Sequence, residues 1–316
     1  MARRALPKKV IGLGMACLDQ ILLWQNARVA VRKNRLVVCD WQGGGPAGTA
    51  LVTVARLGGR AELWAAVGTD WIGDLILDGL AAEKVDTSQV ERIKGARGPH
   101  MIVCVDQPTG ERHFFHATGR TDVKRPIGDL RRLRDAGCLL IDGTRPRSDL
   151  RAAREARRLS VPVVADLGWW NEATPAILRH VDYAILSESC ARSLGTGADW
   201  RAACRKVREM GPACVVVTLG AKGLVYLEDG RFRRLPGFRV AAVDTTGAGD
   251  VFHGAFCWGL VEGTRLAENL LFASAAAAMK CRHVGGRAGI PRRREVIRFL
   301  KEPYVQWPER RGSRLL

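Results

Sequence analysis
Short apolar runs rich in Val, Ile and Leu alternate along the chain with segments whose apolar residues recur at helical spacing. Strand-type runs fall at 10–15, 62–67, 138–142, 162–165, 183–187 and 214–219. Helical patterns fall at about 46–58, 70–84, 148–159, 173–180 and 199–210. This rhythm predicts an α/β fold with a largely parallel sheet covered by helices on both faces. Two stretches break it. Residues 20–43 and 99–118 carry strand-type segments ("RLVVCDW", "HMIVCVD", "ERHFFHA") with no helix between them, and "DQPTGER" has the look of a hairpin turn. They predict a small sheet set apart as a lid on one main domain spanning 1–316, since neither repeats nor a Ser/Gly linker divide the chain. From residue 264 the pattern is helical, with Thr264 placed to cap one helix and Pro291 to begin the next.

Composition narrows the class without naming a reaction. A chain of 316 residues, 47% hydrophobic and 26% charged, reads as a soluble globular protein. Its longest apolar runs, such as "LLFASAAAAM", stop near roughly ten residues, short of a membrane span. The basic start and apolar stretch of "MARRALPKKVIGLGMACLDQILLW" raise the idea of a signal peptide. Asp19 interrupts that run, however, and Gly12 and Gly14 punctuate it like a strand ending in a turn. Nine cysteines without a CxxC pair read as reduced thiols of a cytoplasmic protein, and the six histidines show no metal-ligand spacing. The net charge of +18 admits nucleic acid. Yet the basic residues spread over the whole chain with no aromatic-rich nucleic-acid motif beside them, so nucleic-acid binding is not expected as the main function. A protein that handles phosphorylated or otherwise anionic small molecules explains the charge as well.

The chemistry sits in two glycine-rich turns. "FRVAAV" ahead of residue 244 is strand-like, and "DVFHGAFCWGL" places Phe252, Phe256 and Leu260 on one helical face. "DTTGAGDVFHGAF" therefore reads as strand, turn and helix N-terminus, where unpaired N–H groups and the helix dipole make an anion site. Gly247 and Gly249 allow a phosphate close to the backbone. Asp250 follows in the first helical turn, where the local field is expected to keep it ionised. A carboxylate beside a phosphate is repulsive unless it has a task, and taking the proton of an attacking hydroxyl is the obvious one. The bland alternative is a turn with Asp as a helix-start residue. The second stretch, "WQGGGPAGTALVTVARLGG", is another turn with exposed donors, suited to a hydroxyl-rich ligand.

Together, "GGGPAGTALVTVARLGG" and "DTTGAGDVFHGAF" resemble the two signatures of the ribokinase-like (PfkB) carbohydrate kinases. "VGTDWIGDLILDGLAAEKVDTS", "VVVTLGAKGLVYL" and "KCRHVGGRAGIP" extend the likeness along nearly the whole chain. The resemblance implies a three-layer αβα sandwich with a mainly parallel central sheet and a small β-sheet lid, often used for dimerisation. It implies a phosphotransferase with an alcohol acceptor, moving the γ-phosphoryl group of ATP, with Mg2+, to a primary hydroxyl of a sugar. By position, Asp250 is the base, and the backbone of Gly247, Ala248 and Gly249 is the anion hole. Asp19, Gly44 and Gly45 hold sugar hydroxyls. Thr218, Gly220, Gly223, Thr246 and Gly286 lie on the nucleotide side. Asp244 falls in the region of a monovalent cation such as K+.

There are departures. Thr49 stands where many members carry a sugar-binding Asn, and "SESC" at 187–190 stands where they carry NxxE, linked to Mg2+ and phosphate. Ser187 replaces the Asn and Cys190 the Glu, leaving either Glu188 or positioning through water to hold the metal. These features look like the sulfofructose kinase branch, which acts on 6-deoxy-6-sulfofructose. Arg145, Arg147 and His116 are then candidates for the sulfonate, with solvated loop charge as the plain alternative for the arginines. A ketohexose, ribose or a nucleoside stays open. So does a sugar- or nucleotide-binding pseudokinase without turnover. A dinucleotide oxidoreductase suggested by "GLGMACLD" lacks the third glycine, with Cys17 in that place.

Overall fold
The computed structural model describes residues 8–24, 36–106, 112–117, 121 and 125–302. In chain order the first elements are β1 (Lys9–Leu13), β2 (Cys17–Trp24), β3 (Leu36–Gly44), α1 (Pro46–Arg56), β4 (Arg60–Trp64), β5 (Ala66–Gly68) and α2 (Trp71–Ala82). Next come β6 (Glu91–Ile93), β7 (His100–Asp106), β8 (Arg112–Ala117), β9 (Ala136–Ile141), α3 (Pro146–Arg158), β10 (Val163–Leu167), α4 (Thr174–Leu178) and β11 (Tyr183–Ser187). The chain continues through α5 (Glu188–Ala191), α6 (Trp200–Arg208), β12 (Cys214–Thr218), β13 (Leu224–Glu228) and β14 (Arg231–Leu235). It closes with α7 (Ala248–Val261), α8 (Leu266–Lys280) and α9 (Arg293–Lys301).

An eight-stranded sheet runs β14-β13-β12-β11-β10-β9-β1-β4. From β4 to β12 its strands are parallel, and β13 and β14 add an antiparallel edge. The central strands are buried on both faces, as expected of strands covered by helices. One apolar layer joins the sheet to α1, α2, α7, α8 and α9. The other joins it to α3, α4, α5 and α6. The chain leaves β1 toward β4 on one side and returns to β9 on the other, so strand order reverses between β1 and β9. Ligands of open α/β sheets bind beyond the carboxyl ends of the strands at such a reversal.

A separate four-stranded sheet, β3-β2-β7-β8, occupies the stretches expected to form it. It has a small core of Ile21, Leu23, Val103 and Val105, packed with Val284. Residues 25–35, 107–111 and 118 of the expected lid lie outside the described residues.

Three local expectations fail. The run at 62–67 is two strands in two sheets: β4 joins the main sheet, whereas β5 pairs with β6. "FRVAAV" forms no strand, because Val243 and Asp244 donate their N–H groups to the carbonyl of Cys281 rather than to a neighbouring strand. The helix start after residue 264 is shifted as well. Arg265 is the N-cap of α8 without a side-chain cap bond, while Thr264 donates its N–H to Gly259. Helix α9 likewise begins at Arg293, two residues past Pro291, capped by a reciprocal Arg292–Glu295 pair.

Candidate active site
Asp142 marks the reversal point. Its buried carboxylate accepts from the N–H of Met15 (2.7 Å), Ala47 (3.3 Å) and Thr144 (3.0 Å), tying the end of β9 to the segment after β1 and to the first turn of α1. The "GLG" glycines serve this packing. A Cβ on Gly12 would meet Leu51 at 2.8 Å, and one on Gly14 would meet Asp142 at 2.0 Å. The chain then enters a strand, β2, instead of the helix a dinucleotide fingerprint requires, which removes the oxidoreductase reading.

On the sugar side, Asp19 on β2 is 6% exposed and accepts from the Cys17 thiol at 3.0 Å. Burial raises its carboxyl, opposed by Cys17 and by the charges of Arg287 and His100. Gly44 is required beneath it, since a Cβ there would lie 2.1 Å from Asp19 Oδ2. Gly45 turns the chain into α1 at φ +82°. Thr49 is buried one turn further on.

Arg287 escaped the sequence reading. Its side chain threads past two glycines: a Cβ would come within 1.9 Å of Nη1 at Gly43 and 2.7 Å of Nη2 at Gly48. Nη2 donates to the Gly44 carbonyl (2.8 Å) and Nε to Thr49 Oγ1 (3.4 Å). The guanidinium is thus built into the space beside Thr49, 6% exposed, with no carboxylate within ion-pair distance among the described residues. Only its local context, "GGGPAGT" opposite "GGRAG", hints at this, and the hint needs the fold to be read. His100, stacked on Trp41, is a second missed neighbour; its Nε2 is buried without a partner among the described residues.

The phosphoryl side is built from the 244–250 turn. Gly247, at φ +73°, is the N-cap of α7 and packs on Gly286, whose carbonyl a Cβ would meet at 2.9 Å. Gly286 in turn lies toward Asp19, with 4.0 Å from its Cβ position to Oδ2. The two halves of the site therefore meet at Gly286, placing it between sugar and phosphoryl sides. Of the three expected backbone donors, Ala248 N–H is already turned onto the Thr245 carbonyl at 3.2 Å. The N–H groups of Gly247, Gly249 and Asp250 have no acceptor among the described residues, and the space beside Gly249 is open. Unpaired N–H groups at a helix N-terminus suit an anion.

Asp250 does not behave as the helix start alone predicts. Burial raises its carboxyl to about 7, reinforced by the charge of Asp166, with His253 opposing and Asp19 and Asp142 adding. Asp166 on β10 is pushed up to about 8 by burial and by Asp142. His253 Nδ1 lies 2.7 Å from the Gly249 carbonyl and 3.3 Å from Asp166. Burial lowers this imidazole, opposed by the charge of Asp250 and its bond to Gly249. His253 carries no sequence signal beyond its place in the motif, and Asp166, on a strand far from it in sequence, carries none.

The remaining candidates spread outward. Asp244 is buried and turned inward, accepting from Thr246 N and Oγ1 (2.8 and 2.7 Å) and from Gly285 N (2.7 Å). Thr246 is accordingly held in the turn. Thr218 ends β12, its hydroxyl on the Leu186 carbonyl. Gly220 is open to solvent at φ +56°, and Gly223 packs where a Cβ would strike the Leu235 carbonyl at 2.1 Å. Ser187 caps α5 by accepting from Cys190 N, and burial pushes the Cys190 thiol up to about 11. Glu188 pairs with Arg192 at 2.8 Å. Arg145 donates to Thr121 (2.9 Å) and Ala66 (3.5 Å), bracing the backbone, and Arg147 is exposed. His116 lies in register with Met101 and Asp19 but two strands away, roughly 10 Å at sheet spacing.

A glycine turn with open backbone donors and a buried aspartate thus lie at the strand-order reversal of a ribokinase-like fold. The model of the pfkB family carbohydrate kinases matches residues 28–293, and the chain belongs to that family. It is a carbohydrate kinase, a phosphotransferase with an alcohol acceptor. The ribokinase of Haemophilus influenzae is 28% identical over 267 residues, covering 82% of this chain and 87% of that protein. The structure of Arabidopsis thaliana ribokinase complexed with ribose and ATP superposes with a TM-score of 0.84 at 25% identity, covering 94% and 100% of the two chains. The ribokinase of Thermotoga maritima superposes with a TM-score of 0.79 at 26% identity, covering 93% and 100%. Among the described residues no helix is long and apolar enough to cross a membrane.

Proposed function
We propose that the protein transfers the γ-phosphoryl group of ATP to a primary sugar hydroxyl, with Asp250 as the base. The supporting observation is the meeting at Gly286 of the orphan donors of Gly247, Gly249 and Asp250 with the buried Asp19. Asp19 and Arg287 orient the sugar. Asp250 takes the hydroxyl proton as the new oxygen–phosphorus bond forms and the bond to the bridging oxygen breaks, releasing ADP. A carboxyl near neutrality suits that role, since it is ionised at working pH yet basic enough to accept a proton. The backbone donors and the α7 dipole face the transferred group's negative charge without reorganising.

Mg2+ would supply positive charge across the nucleotide's phosphates. Among the described residues no three His, Cys, Asp or Glu side chains converge to hold a metal. An ion carried by the phosphates needs only one or two carboxylates, and Glu188 is already paired with Arg192.

For the substrate, the Arabidopsis relative's ribose and the sequence likeness to sulfofructose kinases pull differently. Arg145 is engaged by the backbone, so a sulfonate or other electron-rich group finds its better partner in Arg287. Exposed Leu36, Val37, Trp41 and Phe115 support a homodimer formed through the four-stranded sheet acting as a lid. A coupled assay over pentoses, ketohexoses, nucleosides and sulfonated or phosphorylated sugars tests the reading. Turnover of one class is expected. Nucleotide binding by calorimetry with no product across the panel overturns it in favour of the pseudokinase, the reading favoured by the lost NxxE.

A further inference from the structure
Lys280, the last residue of α8, is fully buried, and its ammonium donates to the Asp244 carbonyl at 2.9 Å. A buried charge is tolerated only where the protein supplies partners, and this one sits at a helix C-terminus facing backbone carbonyl oxygen. Around it the chain is stitched tightly. Val243 and Asp244 donate to the Cys281 carbonyl, Gly285 donates to the Asp244 carboxylate, and the Lys280 charge helps hold that carboxylate ionised. A monovalent cation at Asp244, as the resemblance implies, would need this same carbonyl oxygen and the same single positive charge. The site does not fit a free ion, because an internal ammonium already uses it.

We propose that Lys280 is a tethered replacement for the monovalent cation, ordering the 244–250 turn from behind and making the protein independent of K+. Lys280 is then a positioning residue: it touches neither sugar nor nucleotide and acts through the backbone of Asp244. The proposal rests on the kinase reading only for its rate arm.

The test compares K+, NH4+, Na+ and choline at matched ionic strength, reading thermal unfolding of the ligand-free protein and initial phosphotransfer rate. The wild type is expected to stay within about 1 °C and about twofold in rate across all four. Lys280→Ala is expected to lose about 5 °C in choline and at least tenfold in kcat. K+ or NH4+, entering the vacated space, restores part of both. Lys280→Met fills that space and should show the loss without the rescue. A wild type activated about fivefold or more by K+ overturns the proposal. So does a Lys280→Ala protein with unchanged rate and midpoint in choline. If Lys280→Ala does not fold, the wild-type cation titration decides alone. Failure of the kinase reading appears separately, as no turnover on any sugar with the unfolding arm intact.

Discussion

Asp244 and Asp250 stand at the two ends of one turn, yet their surroundings give them opposite chemistry. Burial acts to raise Asp244, but the donors of Thr246 and Gly285 and the charge of Lys280 outweigh it, holding the carboxyl below its usual range. Asp250 meets burial and the neighbouring charge of Asp166, which outweigh the opposing His253, and is raised. One aspartate is saturated by the fold and shapes the backbone. The other is left wanting a proton beside open N–H groups. Perturbation alone would mark both; its direction and the count of donors separate the structural residue from the reactive one.

The sharpest way to break that contrast is to neutralise each in turn. Asp250→Asn should lower kcat by about 10³-fold or more, with nucleotide affinity held within about twofold by calorimetry. Its thermal midpoint should stay or rise, because a frustrated carboxylate has been removed. Retained turnover would strip Asp250 of the base role. Asp244→Ala should do the reverse to stability, losing a buried set of charge-assisted bonds and lowering the midpoint by about 5 °C or more. An unchanged midpoint would deny Asp244 its structural part.

The same contrast predicts a pH signature of smaller size. Asp250 must be ionised to accept a proton, so kcat/KM should fall about tenfold per unit as pH drops below about 7 and level off above. Stability of the ligand-free protein runs the other way for this group. Its folded pKa lies above the unfolded value, so the native state binds more protons from about pH 4 to 7, and stability falls as pH rises through that window. Asp244 has the opposite sign, contributing stability above its unfolded value that is lost as pH falls through its depressed folded value. A flat kcat/KM between about pH 5.5 and 8 would sink the assignment of Asp250.

The phosphoryl side was legible in sequence because it is local: turn, glycines and helix start are contiguous in "DTTGAGD", and periodicity placed the strands and helices around it. The sugar side was legible only in part, through the resemblance that named Asp19, Gly44, Gly45 and Thr49. Asp19, His100 and Arg287 come from three distant segments, and only strand pairing and the reversal between β1 and β9 bring them together. Even on the local side, the electrostatics depend on residues distant in sequence. The helix start argued for an ionised Asp250, but Asp166, 84 positions earlier, arrives through the neighbouring strand. "FRVAAV" shows the same limit: its pattern suits a strand, but the fold offers it the Cys281 carbonyl in place of a strand partner.

The smallest predicted effect tests whether the contrast between a fold-saturated and an unsatisfied group extends to the sugar side. Arg287 donates to the Gly44 carbonyl and to Thr49, yet lacks a carboxylate at ion-pair distance among the described residues. If it completes its set with the substrate, Arg287→Met should raise the sugar KM about tenfold with kcat little changed, since binding shared by ground and transition states is removed. Lys cannot reproduce the fork past Gly43 and Gly48, so Arg287→Lys should recover little of the loss. A fall in kcat at constant KM would instead place the guanidinium on the phosphoryl side. A lowered thermal midpoint with unchanged kinetics would make Arg287 a purely structural counterpart of Asp244.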